Sequence, residues 1–281
     1  MVTANPLERI FSVDYKSKIR PVVSVCKCGR GLENLNGAEE VTIDNTTEDI
    51  YVADGGNNRV KVLDNNGKIL FKFGDERGEG KMDYPTGLAI CGDRILISQE
   101  SDSILNYQVN GKFVSRIGKP GNGELEFHNP HGLAIDESNG EVYICDCYND
   151  RLQILSNELI FKTQFRHYNL KRPLHVQLSK EFIYILDQSY HCVHLLNCNL
   201  LLQKSVISLG PGLPYPTRFF YIDISNNFFI TDLDSSSLSI FNSQFELIHK
   251  ISIPHPSGVT VDNQGRVIVA CRGSNERLHI Y

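Results

Sequence analysis

Three kinds of side chain in this sequence could do chemistry: closely spaced cysteines, histidines beside the starts of strands, and an aspartate that keeps returning. Cys26-Lys27-Cys28 and Cys145-Asp146-Cys147 each set two thiols two residues apart. Residues i and i+2 of a strand share a face, so such a pair could aim at one metal ion. Cys26 and Cys28 have no second pair at a zinc-like spacing, and they read as small buried apolar side chains. Cys145 reads as buried, whereas Cys147 falls in a turn and is expected to be the first thiol to react with a label. Cys192 and Cys198 sit beside a sheet edge. Asp54, Asp146, Asp187 and Asp232 stand at strand ends. A ring of carboxylates suggests a cation, but a residue present at every repeat is architecture. A short carboxylate at a strand end bonds the amides of the following turn. Asn57, Asn149, Arg59 and Arg151 read the same way. His131 and His175 lie at adjacent phases of their strands, so their side chains are expected on opposite faces and not on one metal. The other histidines show no repeat-matched convergence, and no nucleophile–base pair can be assembled. No catalytic residue, metal or other cofactor is therefore expected.

The elements that hold these residues repeat. The string IYVAD ending at Asp54 returns as ILISQ, VYICD, IYILD, FFITD and VIVAC, in steps of 45, 47, 41, 45 and 39 residues. A second marker precedes each later copy, with Pro85, Pro130, Pro173, Pro216 and Pro256; the first copy carries Ala38 there. A glycine closes several copies, at Gly74, Gly118 and Gly210. Each unit reads as four strands, with Asn66-Gly67 as a two-residue hairpin turn. No segment keeps a 3.6-residue apolar period, so almost no helix is expected. Four-stranded units of this length, repeated around an axis, predict an all-β, six-bladed β-propeller of antiparallel blades. The expected blades cover about 38–74, 85–118, 130–165, 173–210, 216–253 and 256–281 of a single propeller spanning 20–281. The last unit supplies three strands only. Residues 20–29 are expected to provide the fourth, with Gly29 matched to Gly74 and with Cys26 and Cys28 over Phe71 and Phe73. Residues 1–19 are left as a leader.

These markers resemble the NHL repeat. The likeness lies in VADGGNNRVKV, in PTGLAI and PHGLAID, and in the approach segments GDERGEGKMDYPTG and GKPGNGELEFHNPHG. It is most specific in the first three repeats and degenerate in the fourth and fifth. The resemblance implies a non-catalytic interaction module of the kind found at the C-terminal end of RING, B-box and coiled-coil ubiquitin ligases, recruiting a protein or an RNA. It also leaves a metal-dependent lyase or lactonase-like propeller enzyme as an alternative. The eight cysteines form no RING-like Cys/His ladder.

Binding is expected where copies differ. Loops joining the fourth to the first strand and the second to the third gather at one mouth of a propeller. There the third and fourth units offer His131, Tyr148, His175 and Tyr190, and the fifth and sixth offer Arg218 and Arg272. Aromatics and arginine are typical anchors of protein contacts. Glu39, Glu40 and Glu100 make the other side of the mouth acidic. With 28 Lys and Arg against 33 Asp and Glu, the net charge of −5 favours a protein or peptide partner over RNA. Eight cysteines in 281 residues are too sparse for a disulfide framework, no run is apolar enough to cross a membrane, and the expected setting is cytoplasmic. A monomeric propeller is expected.

Overall fold

A computed structural model describes residues 21–197, 199–207, 217–223, 226–273 and 277–281, with backbone only at 204–207 and 217–218. Six antiparallel sheets of four strands follow one another along the chain. In blade one the strands are Ala38–Ile43, Ile50–Asp54, Arg59–Leu63 and Ile69–Phe73, from the axis outward. The innermost strands of the other blades are Pro85–Cys91, Pro130–Ile135, Pro173–Leu178, Thr217–Ile222 and Pro256–Val261, and each contacts the next around the ring. Two single 3-10 turns, Gly55–Asn57 and Cys147–Asn149, lie wholly within the described residues.

Period-two alternation explains why the sheets need each other. In Ile50–Asp54 the side chains of Ile50 and Val52 join Ile268, Ala270 and Ile280 of the last blade, while Tyr51 and Ala53 join Leu88, Ile95 and Ile97 of the second. The same division recurs between blades two and three, three and four, four and five, and five and six. Each sheet thus has two apolar faces and two neighbours. Full burial of such a side chain contributes about 1.5–3 kcal/mol, which offsets the entropy of ordering the strands. Because both faces are covered, Lys61 is also fully buried, although its alternation with Val60 and Val62 reads as solvent-facing.

The ring closes through the N-terminal segment, in a register different from the expected one. Val23–Val25 is the outer strand of the last blade, pairing Val23 with Ile280 and Val25 with Leu278. The chain leaves that sheet at Cys26, whose φ is +65°, the place taken by Gly74 and Gly118 at +98° and +85°. Lys27–Cys28 then pairs in parallel with Asn34–Leu35, as Lys119–Pro120 pairs with Glu126–Phe127. The counterpart of Gly29 is therefore Gly121, and the glycine match is corrected by three residues. KCGRGLENL and KPGNGELEF align without a gap and carry this register. A Cβ at Gly118 would lie 2.4 Å from the ring of Phe127; the smaller Leu35 stands opposite Cys26, where a side chain is tolerated. As a consequence Cys28 is exposed, not buried, and Cys26 is half-buried. Arg20, Gly210 and the leader lie outside the described residues.

Candidate binding mouth

Buried aspartates build the loops at one end of the channel. Asp146 accepts from the His128 amide at 2.8 Å, from Asn149 Nδ2 at 3.1 Å and from Arg151 Nε at 2.7 Å. Arg151 in turn donates to the carbonyls of Asn122, Gly123 and Glu126. Asp54, Asn57 and Arg59 repeat the arrangement, with the Asn36 amide and the carbonyls of Gly29, Gly31 and Asn34. These carboxylates hold the approach segment that precedes the first strand, and bind the following turn through an Asn side chain rather than its backbone amides. Where Arg is missing, the carboxylate bonds its own turn as expected: Asp232 accepts the amides of Asp234 and Ser235. Asp187 does both, taking the Lys171 amide on one oxygen and the Tyr190 amide on the other.

A second set of bonds ties each blade's turn to the next blade. Asn58, Asp102 and Asp150 have left-handed backbones, with φ of 55°, 58° and 52°. Their side-chain oxygens accept the amides of Tyr84, Asn129 and Arg172, at 2.9, 2.6 and 2.9 Å. Each of those three residues precedes the proline of the next inner strand and is itself left-handed. The positions that face the mouth are thus those before the proline. The positions after it, from which His131 and His175 come, turn inward.

Inward, the channel is crossed by side chains. Each inner strand shifts register in its first residues, between Pro130 and Leu133 and between Pro173 and His175 among others. Such bulges break strict alternation. His131 and His175 therefore do not part: both rings pack on Phe219, with centroids 5.7 and 5.3 Å away. Gly132 permits the approach, since a Cβ there would lie 2.6 Å from the His175 Cα. His175 Nε2 meets Glu40 Oε1 at 2.6 Å, and Glu40 Oε2 accepts the Leu88 amide at 2.6 Å. Glu39 is buried against Arg272 at 2.9 Å, and Arg272 also donates to the Tyr84 hydroxyl at 2.6 Å. Burial and Glu39 push the Tyr84 phenol up to about 12. Two of the three expected acids of the mouth are thus consumed inside it, and only Glu100 is exposed. At the far end, inner-strand residues including Leu88, Leu133, Gln177, Leu178 and Tyr221 line a cavity of about 170 Å³.

Outward, the expected residues divide. Tyr148 and Tyr190 are exposed, at 46% and 49%, while His131 and His175 are buried. Arg272 is half-buried in its pairs, and the Arg218 side chain lies outside the described residues. Tyr148 belongs to a group the sequence reading missed in part. The His128 ring meets it edge-on at 5.1 Å, and the Arg172 guanidinium lies 5.0 Å from its centroid. Lys171 is anchored to Asp150 at 2.7 Å, and the Asp187 carboxylate holds it beside Tyr190. His128, Tyr148, Lys171, Arg172 and Tyr190 make one surface across blades three and four. Below it Cys147 is fully buried, which corrects its expected reactivity; burial pushes its thiol up to about 11 against the pull of Arg172. Among the described residues no three His, Cys, Asp or Glu side chains converge as metal ligands.

Comparison with known proteins agrees with this architecture. The NHL repeat model matches residues 127–155, within blade three. Protein brain tumor of Drosophila melanogaster is 28% identical over 109 residues, which is 37% of this chain and 10% of that protein. A streptogramin B lyase structure superposes with a TM-score of 0.67 at 12% identity, covering 92% of this chain and 97% of that one. A gluconolactonase from Xanthomonas campestris gives 0.68 at 14%, covering 88% and 87%. At these identities the two structures share the fold.

Proposed function

We propose that this propeller is a binding scaffold that recruits a protein or peptide through the face formed by His128, Tyr148, Lys171, Arg172 and Tyr190. The observation that carries the reading is the exposed Tyr148 ring, held by Arg172 and His128 on loops locked to buried carboxylates. Aromatic side chains whose conformations are already fixed lose little entropy on binding, and with arginine they form typical contact anchors. The resemblance to NHL repeats and the similarity to Protein brain tumor support a scaffold. A place as the substrate-targeting part of a ubiquitin ligase rests on that resemblance.

RNA is the second reading, because a tyrosine with a stacked guanidinium also offers a platform to a base. Metal-dependent lyase or lactonase chemistry has less support: His175 is engaged with Glu40.

Affinity capture from a lysate, with and without ribonuclease, tests the assignment. The folded wild-type chain is compared with Tyr148→Ala/Tyr190→Ala. Proteins held by the wild type in both conditions and lost by the variant are expected. Equal capture by both chains overturns the face, and capture abolished by ribonuclease transfers it to RNA.

A further inference from the structure

Lys61 and Cys26 depart together from the repeat. Lys61 stands where blade three has Gln153, and each donates to the carbonyl of the approach segment, Asn34 or Glu126. Cys26 stands where blade two closes on Gly118. The result is an amine and a thiol in one pocket, with Nζ and Sγ 3.9 Å apart. Lys61 is fully buried, whereas Cys26 is half-buried.

We infer that Cys26 and Lys61 form a peroxide-driven sulfur–nitrogen cross-link that fastens the end of the closing strand to blade one. Hydrogen peroxide first transfers one oxygen to the Cys26 thiol. Its O–O bond breaks, sulfur loses two electrons, and sulfenic acid and water result. The Lys61 amine then attacks that sulfur. The S–N bond forms as the S–O bond breaks, and the hydroxyl leaves as water with a proton from nitrogen. Burial lowers the Lys61 ammonium below its ordinary value, which raises the share of the neutral amine this step uses. The hydrogen bond to Asn34 uses an N–H and leaves the lone pair available. Burial raises the Cys26 thiol against the opposing pull of Lys61, which slows the first step.

Peptide mapping of the peroxide-treated protein, without reducing agent, tests the link. The expected product joins the peptides holding Cys26 and Lys61, is lighter by two hydrogen atoms, and is released by dithiothreitol. It should persist in Cys28→Ser and vanish in Lys61→Gln and Cys26→Gly. Both of the latter variants install the residue that another blade carries at the same place. A disulfide between Cys26 and Cys28 in the wild type would overturn the inference. So would Cys26 that stays reduced or advances to sulfinic acid with Lys61 unlinked.

Discussion

Glu40 of blade one and His175 of blade four bond across the axis, Oε1 to Nε2, at 2.6 Å. Blades one and four stand opposite each other in a ring of six, so the pair spans the channel. Its side chains are 7% and 2% exposed. Removing one member of this buried pair leaves the polar atoms of the other without their partner, at a cost of about 1–3 kcal/mol. Glu40→Ala should therefore lower stability by about that much in urea unfolding, and it also leaves the Leu88 amide without its acceptor. The double change Glu40→Gln/His175→Gln should cost less than the two single glutamine changes together. Additive losses would show that the pair is not coupled.

The aspartates that share a repeat position should not share a phenotype. Asp146 joins the approach segment, Asn149 and Arg151, whereas Asp232 bonds two amides of its own turn. Among the described residues the second oxygen of Asp232 has no hydrogen-bond partner. Asp146→Ala should cost about 3–5 kcal/mol, because it leaves Arg151 buried and uncompensated. Asp232→Ala should cost about 1–2 kcal/mol. Melting curves of the two variants decide the ranking.

Thiol labelling should follow exposure rather than sequence position. Cys28 is exposed, and Cys147 is fully buried with its thiol pushed up to about 11. A short pulse of iodoacetamide at neutral pH, read by mass spectrometry, should modify Cys28 and spare Cys145, Cys147 and Cys271. Early modification of Cys147 would mean that its loop opens.

Acid should loosen the closure. His279 Nδ1 meets Ser24 Oγ at 2.8 Å, joining the last blade's third strand to the N-terminal strand. Burial and Arg277 hold His279 below its ordinary imidazole value. As pH falls through about 6.5 the unfolded chain takes up this proton before the folded one does, so stability drops. The contribution is present above that pH and lost below it. His279→Gln should flatten this part of the pH–stability curve; an unchanged slope between pH 7 and pH 5, taken here as about the range of imidazole titration, would assign the loss to other groups.

Removal of residues 1–30 should destabilise the entire ring. It deletes Val23–Val25 and exposes the edge of Leu278–Ile280 together with the apolar side chains that Val23 and Val25 cover. Open edges also invite pairing with other chains. Differential scanning calorimetry should show a lower melting temperature, and light scattering an increase in association. A truncated chain with the same melting temperature would mean that the closing strand is dispensable.

Much of the fold was legible because its information is local. The spacing of Pro85, Pro130, Pro173 and Pro256 with the following strand strings carried both the unit length and the number of blades. Alternation in Ile50–Asp54 and Arg59–Leu63 carried the strands. The site was less legible. Tyr148 and Tyr190 could be read as exposed from their turns, but Arg172 and His128 could not be joined to Tyr148, since they come from different connections. The inner-strand bulges hid the convergence of His131 and His175 on Phe219. Cys147 lies in a turn, a setting that suggests exposure, but the 3-10 turn folds it beneath Arg172.

The amino-acid order alone determined a ring of four-stranded sheets, since strands apolar on both faces, with no helical pattern in the chain to cover them, must be covered by like neighbours. Only the tertiary structure decided which polar side chains the ring would consume. Glu39, Glu40, His175 and Lys61 look like surface residues in one dimension, and each is buried because a partner from a distant blade or segment arrives opposite it. Burial of a charge is a property of a pair, and such a pairing is fixed by closure of the circle, which no single repeat contains.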